Sequence, residues 1–118
     1  MEKIKIWHNP KCSKSKQAMQ ILESKDLNIE VFQYLEEDID SIMLKDIKTM
    51  LGIDDIRDML RSKEDEYKSL DIENPSLTQD EIIDLVIKTP KLIERPIIIK
   101  DDKAVIARPM ENIDKLFI

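Results

Sequence analysis

His8-Asn9-Pro10-Lys11-Cys12-Ser13-Lys14-Ser15-Lys16 is the stretch on which the reading of the fold turns. Just before it, Lys3-Ile4-Lys5-Ile6-Trp7 alternates charged and apolar residues as a strand does, until Trp7 breaks the alternation at the loop. Just after it, Ala18, Met19, Ile21 and Leu22 fall on a helical stripe, which predicts a helix over about Ser13 to Lys25. Strand, proline-containing turn and helix start together put Cys12 at a helix N-terminus. There the unpaired backbone N–H groups and the positive end of the helix dipole favour an anion. That anion is a bound oxyanion, the Cys12 thiolate, or each in turn. A free thiol titrates near ~8.5, and a helix N-terminus with cations beside it lowers that value. Lys11, Lys14 and Lys16 supply the cations, and Ser13 and Ser15 add hydroxyl donors. The competing reading makes Cys12 a small buried apolar residue, the serines helix caps and the lysines a solvated face.

Composition narrows the choices. A chain of 118 residues fits one domain, residues 1–118, with a core large enough to need neither disulfide nor metal. A net charge of −6 argues against nucleic acid or an anionic membrane as partner, and makes any anion pocket a local cluster of cations. One cysteine excludes an internal disulfide. The N-terminal residues lead into a strand without a charged-then-apolar signal, and no apolar run nears the ~20 residues of a membrane helix. The cytoplasm, where a thiol stays reduced, is the expected location.

Further along, Glu30-Val31-Phe32-Gln33-Tyr34-Leu35 is rich in strand formers, which completes a βαβ unit with parallel strands. Ile39, Ile42, Met43, Ile47, Met50 and Leu51 predict a helix ending at Gly52, the only glycine. Asp54 is the expected cap of a short helix carrying Ile56, Met59 and Leu60. Ser62 to Pro75 reads as irregular, anchored by Tyr67 and Leu70. Thr78 with Glu81 three residues on is a capping box, and opens a helix that stops before Pro90. Ile97-Ile98-Ile99 suits a buried central strand, Asp101-Asp102 a turn, Lys103 to Ala107 a return strand and Asn112 to Phe117 a short final helix. The order βαβ, helical insertion, ββα is that of an α/β thioredoxin-like fold with a four-stranded mixed sheet.

Within that frame the chemistry is sparse. Ser15 stands three residues after Cys12, where a dithiol motif has its second cysteine, so Cys12 works as a monothiol or not on disulfides at all. Arginine forks match tetrahedral oxyanions, which makes Arg61, Arg95 and Arg108 candidates. Spacing alone does not separate Arg95 and Arg108 from surface arginines beside turn-forming prolines. Arg57 and Arg61 share one helix face by their spacing, and Asp54 and Asp58 make Arg57 a solvated surface residue. His8 tunes or orients Cys12, or makes a structural hydrogen bond at a strand end. One cysteine, one histidine and scattered carboxylates give no metal site, and one glycine gives no phosphate loop.

The set His8-Asn9-Pro10-Lys11-Cys12-Ser13-Lys14-Ser15, Tyr34-Leu35, Met59-Leu60-Arg61, Tyr67, Glu94-Arg95-Pro96-Ile97-Ile98 and Arg108-Pro109 resembles the glutaredoxin-dependent arsenate reductases over nearly the whole chain. It is similar above all to an arsenate-reductase-like subgroup with the pattern Arg61-Ser62-Lys63-Glu64-Asp65. The resemblance implies that Cys12 is the nucleophile toward arsenate, and that Arg61, Arg95 and Arg108 bind the oxyanion and hold the thiol ionised. His8 and Ser15 then flank the nucleophile. Lys16 departs from the arginine of the typical enzymes, keeping the charge and losing the fork. The resemblance also implies a cis bond at Arg95-Pro96, no bound cofactor, glutathione as co-substrate and glutaredoxin as partner. Two rival functions remain open at this point: a Spx-type regulator binding RNA polymerase, and a monothiol reductase acting on another oxyanion or a glutathionylated partner.

Overall fold

The structure is a computed structural model and describes residues 3–117. The chain divides into two units, one formed by Met1–Glu37 with Arg95–Ile118, the other by Asp38–Glu94.

The first unit holds the sheet. Its strands are β1 (Lys3–Trp7), β2 (Asn28–Phe32), β3 (Ile97–Lys100) and β4 (Lys103–Ile106), in the order β2-β1-β3-β4. β1 and β2 run parallel, with Lys3 opposite Asn28 and Trp7 opposite Phe32. β3 lies antiparallel to both β1 and β4. The alternation in β1 has its expected result: Ile4 and Ile6 are fully buried, and Lys3 and Lys5 pair with Glu30 on the other face. Helix α1 (Ser13–Glu23) and a final 3-10 helix (Met110–Phe117) join the sheet in one core built from Ile4, Ile6, Leu22, Ile98, Ile113 and Leu116. This is the thioredoxin-like arrangement, βαβ followed by ββα.

β2 begins and ends earlier than the strand formers suggest, because pairing with the five residues of β1 fixes its extent. At Gln33 the chain turns away: its carbonyl accepts from the N–H groups of Glu36 and Glu37, while its own N–H donates to the Glu37 carboxylate at 2.8 Å. Tyr34 and Phe32 pack on Trp7, with ring centroids 5.9 and 5.0 Å away.

The second unit is helical. In α2 (Ser41–Leu51) the Asp40 carboxylate caps the N-terminus by accepting from Met43 N–H, and Gly52 closes the C-terminus at φ 72°, a left-handed conformation suited to glycine. The next turn, a 3-10 helix over Ile56–Met59, is capped by Asp55 and not Asp54. Asp55 also accepts from the Gln79 amide, which makes it the better placed of the two carboxylates. The segment expected to be irregular contains α3 (Asp65–Ser69), around the buried Tyr67, whose hydroxyl donates to the Glu73 carboxylate. Helix α4 (Gln79–Lys88) opens on the capping box, with Thr78 and Glu81 each accepting from the other's N–H.

Arg57 is not the solvated residue its acidic neighbours suggested. Its side chain is 16% exposed. Its Nε and Nη2 donate to the carbonyls of Ile72 and Asn74 at 2.7 and 2.8 Å, and Nη1 meets the Asp55 carboxylate at 3.2 Å. The guanidinium fork fastens the loop after α3. Nor do Arg57 and Arg61 share a helix face, since the 3-10 helix ends at Met59 and Leu60 is extended. There Leu60 forms an antiparallel bridge with Ile93, closed by Arg61 N–H to the Leu92 carbonyl and Glu94 N–H to the Met59 carbonyl.

Candidate active site

Cys12 occupies the N-cap of α1 in an extended conformation, φ −97° and ψ 123°. The loop that delivers it is tied by short-range bonds. The Asn9 side chain accepts from Lys11 N–H at 3.0 Å, and the Asn9 carbonyl accepts from Cys12 N–H at 3.0 Å. Asn9 N–H in turn donates to Ser15 Oγ at 3.3 Å. Ser15 is fully buried, the one buried polar residue described. At the other end His8 N–H donates to the Phe32 carbonyl at 2.9 Å, so β2 holds the start of the loop.

The thiol sits among cationic and N–H groups. Partial burial pushes its pKa up, but the backbone N–H of Ser15, the Arg95 guanidinium and the backbone N–H of Lys14 outweigh burial and lower it to about 7. The thiol makes no close capping hydrogen bond, so the helix N–H groups act on it as oriented dipoles. Arg108 approaches from the end of β4, with Nη2 3.7 Å from Cys12 Sγ. Its Nε is held by the Arg95 carbonyl at 2.6 Å. Both arginines precede cis-prolines, Arg95-Pro96 as expected and Arg108-Pro109 in addition.

The remaining candidates are distributed differently. Lys16 lies exposed on the first turn of α1, with its N–H bonded to the Cys12 carbonyl at 3.1 Å. His8 makes no hydrogen bond to Cys12. Burial, and then the charge of Lys16, hold its pKa below the usual value, so the ring is neutral near pH 7. His8 Nδ1 is buried without a partner. Arg61 belongs to the other unit, where its guanidinium pairs with Glu64 at 2.5 Å and its backbone is fixed by the Leu60–Ile93 bridge. Sequence reasoning missed Asn9, although an asparagine two residues before a lysine N–H is a recognisable side-chain turn.

Chemically the arrangement offers a thiolate at neutral pH, two guanidinium groups beside it and the N–H groups of a helix start. It suits attack on a tetrahedral oxyanion whose charge those groups offset. Among the described residues there is no cluster of His, Cys, Asp and Glu fit to hold a metal ion, and no helix long and apolar enough to cross a membrane.

Known proteins share this framework. An arsenate reductase of Neisseria meningitidis is 44% identical over 114 residues, which cover 97% of this chain and 97% of that one. An arsenate reductase of Haemophilus influenzae is 43% identical over 108 residues, 92% of this chain and 93% of its own. The solved structure of an arsenate reductase from Vibrio cholerae matches with a TM-score of 0.94 at 36% identity, covering 98% of both chains. Residues 7–116, from the last residue of β1 into the final 3-10 helix, match the model of the ArsC family, and the chain belongs to that family.

Proposed function

We propose that this protein is an arsenate reductase that draws its electrons from glutathione and glutaredoxin. The observation that carries the reading is the Cys12 thiol, lowered to about 7 and approached by Arg108 at 3.7 Å. The similarity to arsenate reductases over nearly the whole chain supports the choice of arsenate.

The thiolate of Cys12 attacks arsenic(V), and a hydroxide leaves as water after taking up a proton. Arg95 and Arg108 bind the oxyanion and offset the negative charge that would otherwise repel the thiolate. For Arg61 the family motif alone supports a part in oxyanion binding. His8, whose main-chain N–H donates to the Phe32 carbonyl, and Ser15, through Asn9, keep the loop in place. Lys16 adds charge without a fork, so its contribution to oxyanion binding is that of a point charge. The thiol of glutathione then replaces a second hydroxyl on arsenic, which leaves as water, and a glutaredoxin thiol attacks the glutathione sulfur, breaking its bond to arsenic and forming a mixed disulfide. The two thiols lose two electrons and arsenic(V) gains them; water then hydrolyses the bond between Cys12 and arsenic(III), which releases arsenite and returns the thiol. No bound cofactor takes part, and the reducing cytoplasm suits such a cycle.

Arsenate reduction should be followed with glutathione and glutaredoxin present, for the native protein and for Cys12→Ser. The native protein is expected to turn over and the variant to be inactive. Equal rates for the two would end the proposal.

A further inference from the structure

Arg108 depends on how its own main chain is held. β4 ends at Ile106, and the chain turns sharply there, with Arg108 N–H donating to the Ile106 carbonyl at 2.8 Å. The final 3-10 helix starts two residues after Arg108, and Asn112 lies in its first turn. The Nδ2 group of Asn112 donates to the Ile106 carbonyl at 2.9 Å and to the Arg108 carbonyl at 3.2 Å. The Ile106 oxygen therefore accepts two donors, and both ends of the turn are fastened to one side chain.

We propose that Asn112 is a positioning residue for the oxyanion site: by bracing the turn from Ile106 to Arg108, it sets the direction in which the Arg108 side chain leaves the backbone. The inference rests on the reading of Arg108 as an oxyanion ligand. A side-chain amide suits the task because one nitrogen supplies two N–H donors; a serine has one and an ionised aspartate none. The far end of Arg108 is fixed separately, by the bond from Nε to the Arg95 carbonyl. With the root held by Asn112 and Nε by Arg95, the forked end is left with one orientation, toward Cys12 Sγ. A guanidinium fork loses its match to an oxyanion when displaced by about an ångström, so bracing at the root matters at the tip. A side chain that merely stitched the last helix to β4 would support stability and leave oxyanion binding alone.

The sole cysteine gives an unambiguous assay. Alkylation of Cys12 by iodoacetamide is measured against rising inorganic arsenate, without thiols, and the half-protecting concentration is read. The wild type, Asn112→Ala, Arg108→Ala and the double variant make a cycle. Asn112→Ala is expected to raise the half-protecting concentration by about five- to tenfold, the worth of a lost hydrogen bond or two. In the Arg108→Ala background it is expected to add nothing. Asn112→Asp, which keeps the shape and loses both donors, runs the same cycle should the alanine variant fail to fold. Unchanged protection in the Asn112 variants, or an equal rise in both backgrounds, overturns the inference while Arg108→Ala still weakens protection. If Arg108→Ala itself protects like the wild type, Arg108 is not an oxyanion ligand and the inference falls with that assignment.

Discussion

At Cys12 burial and charge pull in opposite directions, and charge prevails. The thiol is partly desolvated, which favours the neutral form, yet Ser15 N–H, Arg95 and Lys14 N–H bring its pKa to about 7. The alkylation rate should accordingly rise with pH to a midpoint near 7, against ~8.5 for an ordinary thiol. Arg95→Ala removes one of the lowering groups, so its midpoint should move up. A native midpoint at or above ~8.5 in folded protein would show that the thiol is not activated. The same shift links ionisation to folding. The folded pKa lies below the unfolded one, so the thiolate's contribution to stability is complete above the unfolded value. It declines as pH falls from there and is lost below about 7.

Single elements carry their own determinants of stability. Thr78→Ala removes one half of the capping box of α4 and should cost about 1 kcal/mol, read as a lower urea midpoint with an unchanged slope. Arg57→Ala strips donors from the Ile72 and Asn74 carbonyls and leaves Asp55 without its cation, so roughly 2–3 kcal/mol is the expected loss. A near-neutral Arg57→Ala would return that residue to the surface role its neighbours implied. The elements legible in the sequence were those with local causes: the alternation in β1, glycine at the end of α2, threonine and glutamate at the start of α4. The limits of β2, the choice of Asp55 over Asp54 and the helix around Tyr67 depend on partners distant in the chain. Local pattern does not contain that information.

For the molecule as a whole, one thiol has to open a redox cycle that it cannot close. With arsenate and no small thiol, intact mass should show at most a single arsenic adduct on the protein. Sustained turnover should need both glutathione and glutaredoxin, with thioredoxin alone supporting little. Many turnovers on thioredoxin alone would contradict the mechanism even if arsenate is the substrate. Cys12 was legible as a candidate because its surroundings are contiguous. Arg95 and Arg108 were not legible from spacing: they lie 83 and 96 residues away by number, and strand pairing carries them to the start of α1. Ser15, finally, bears on what this chain can become. The position where a resolving cysteine would stand is already occupied, buried and bonded to Asn9 N–H. A Ser15→Cys change would bring a second sulfur at the cost of a good acceptor for the loop that presents the first. Gaining self-sufficiency and keeping a well-presented nucleophile are therefore opposed within one codon, and a route to two-thiol chemistry has to pass through repair of the loop as well.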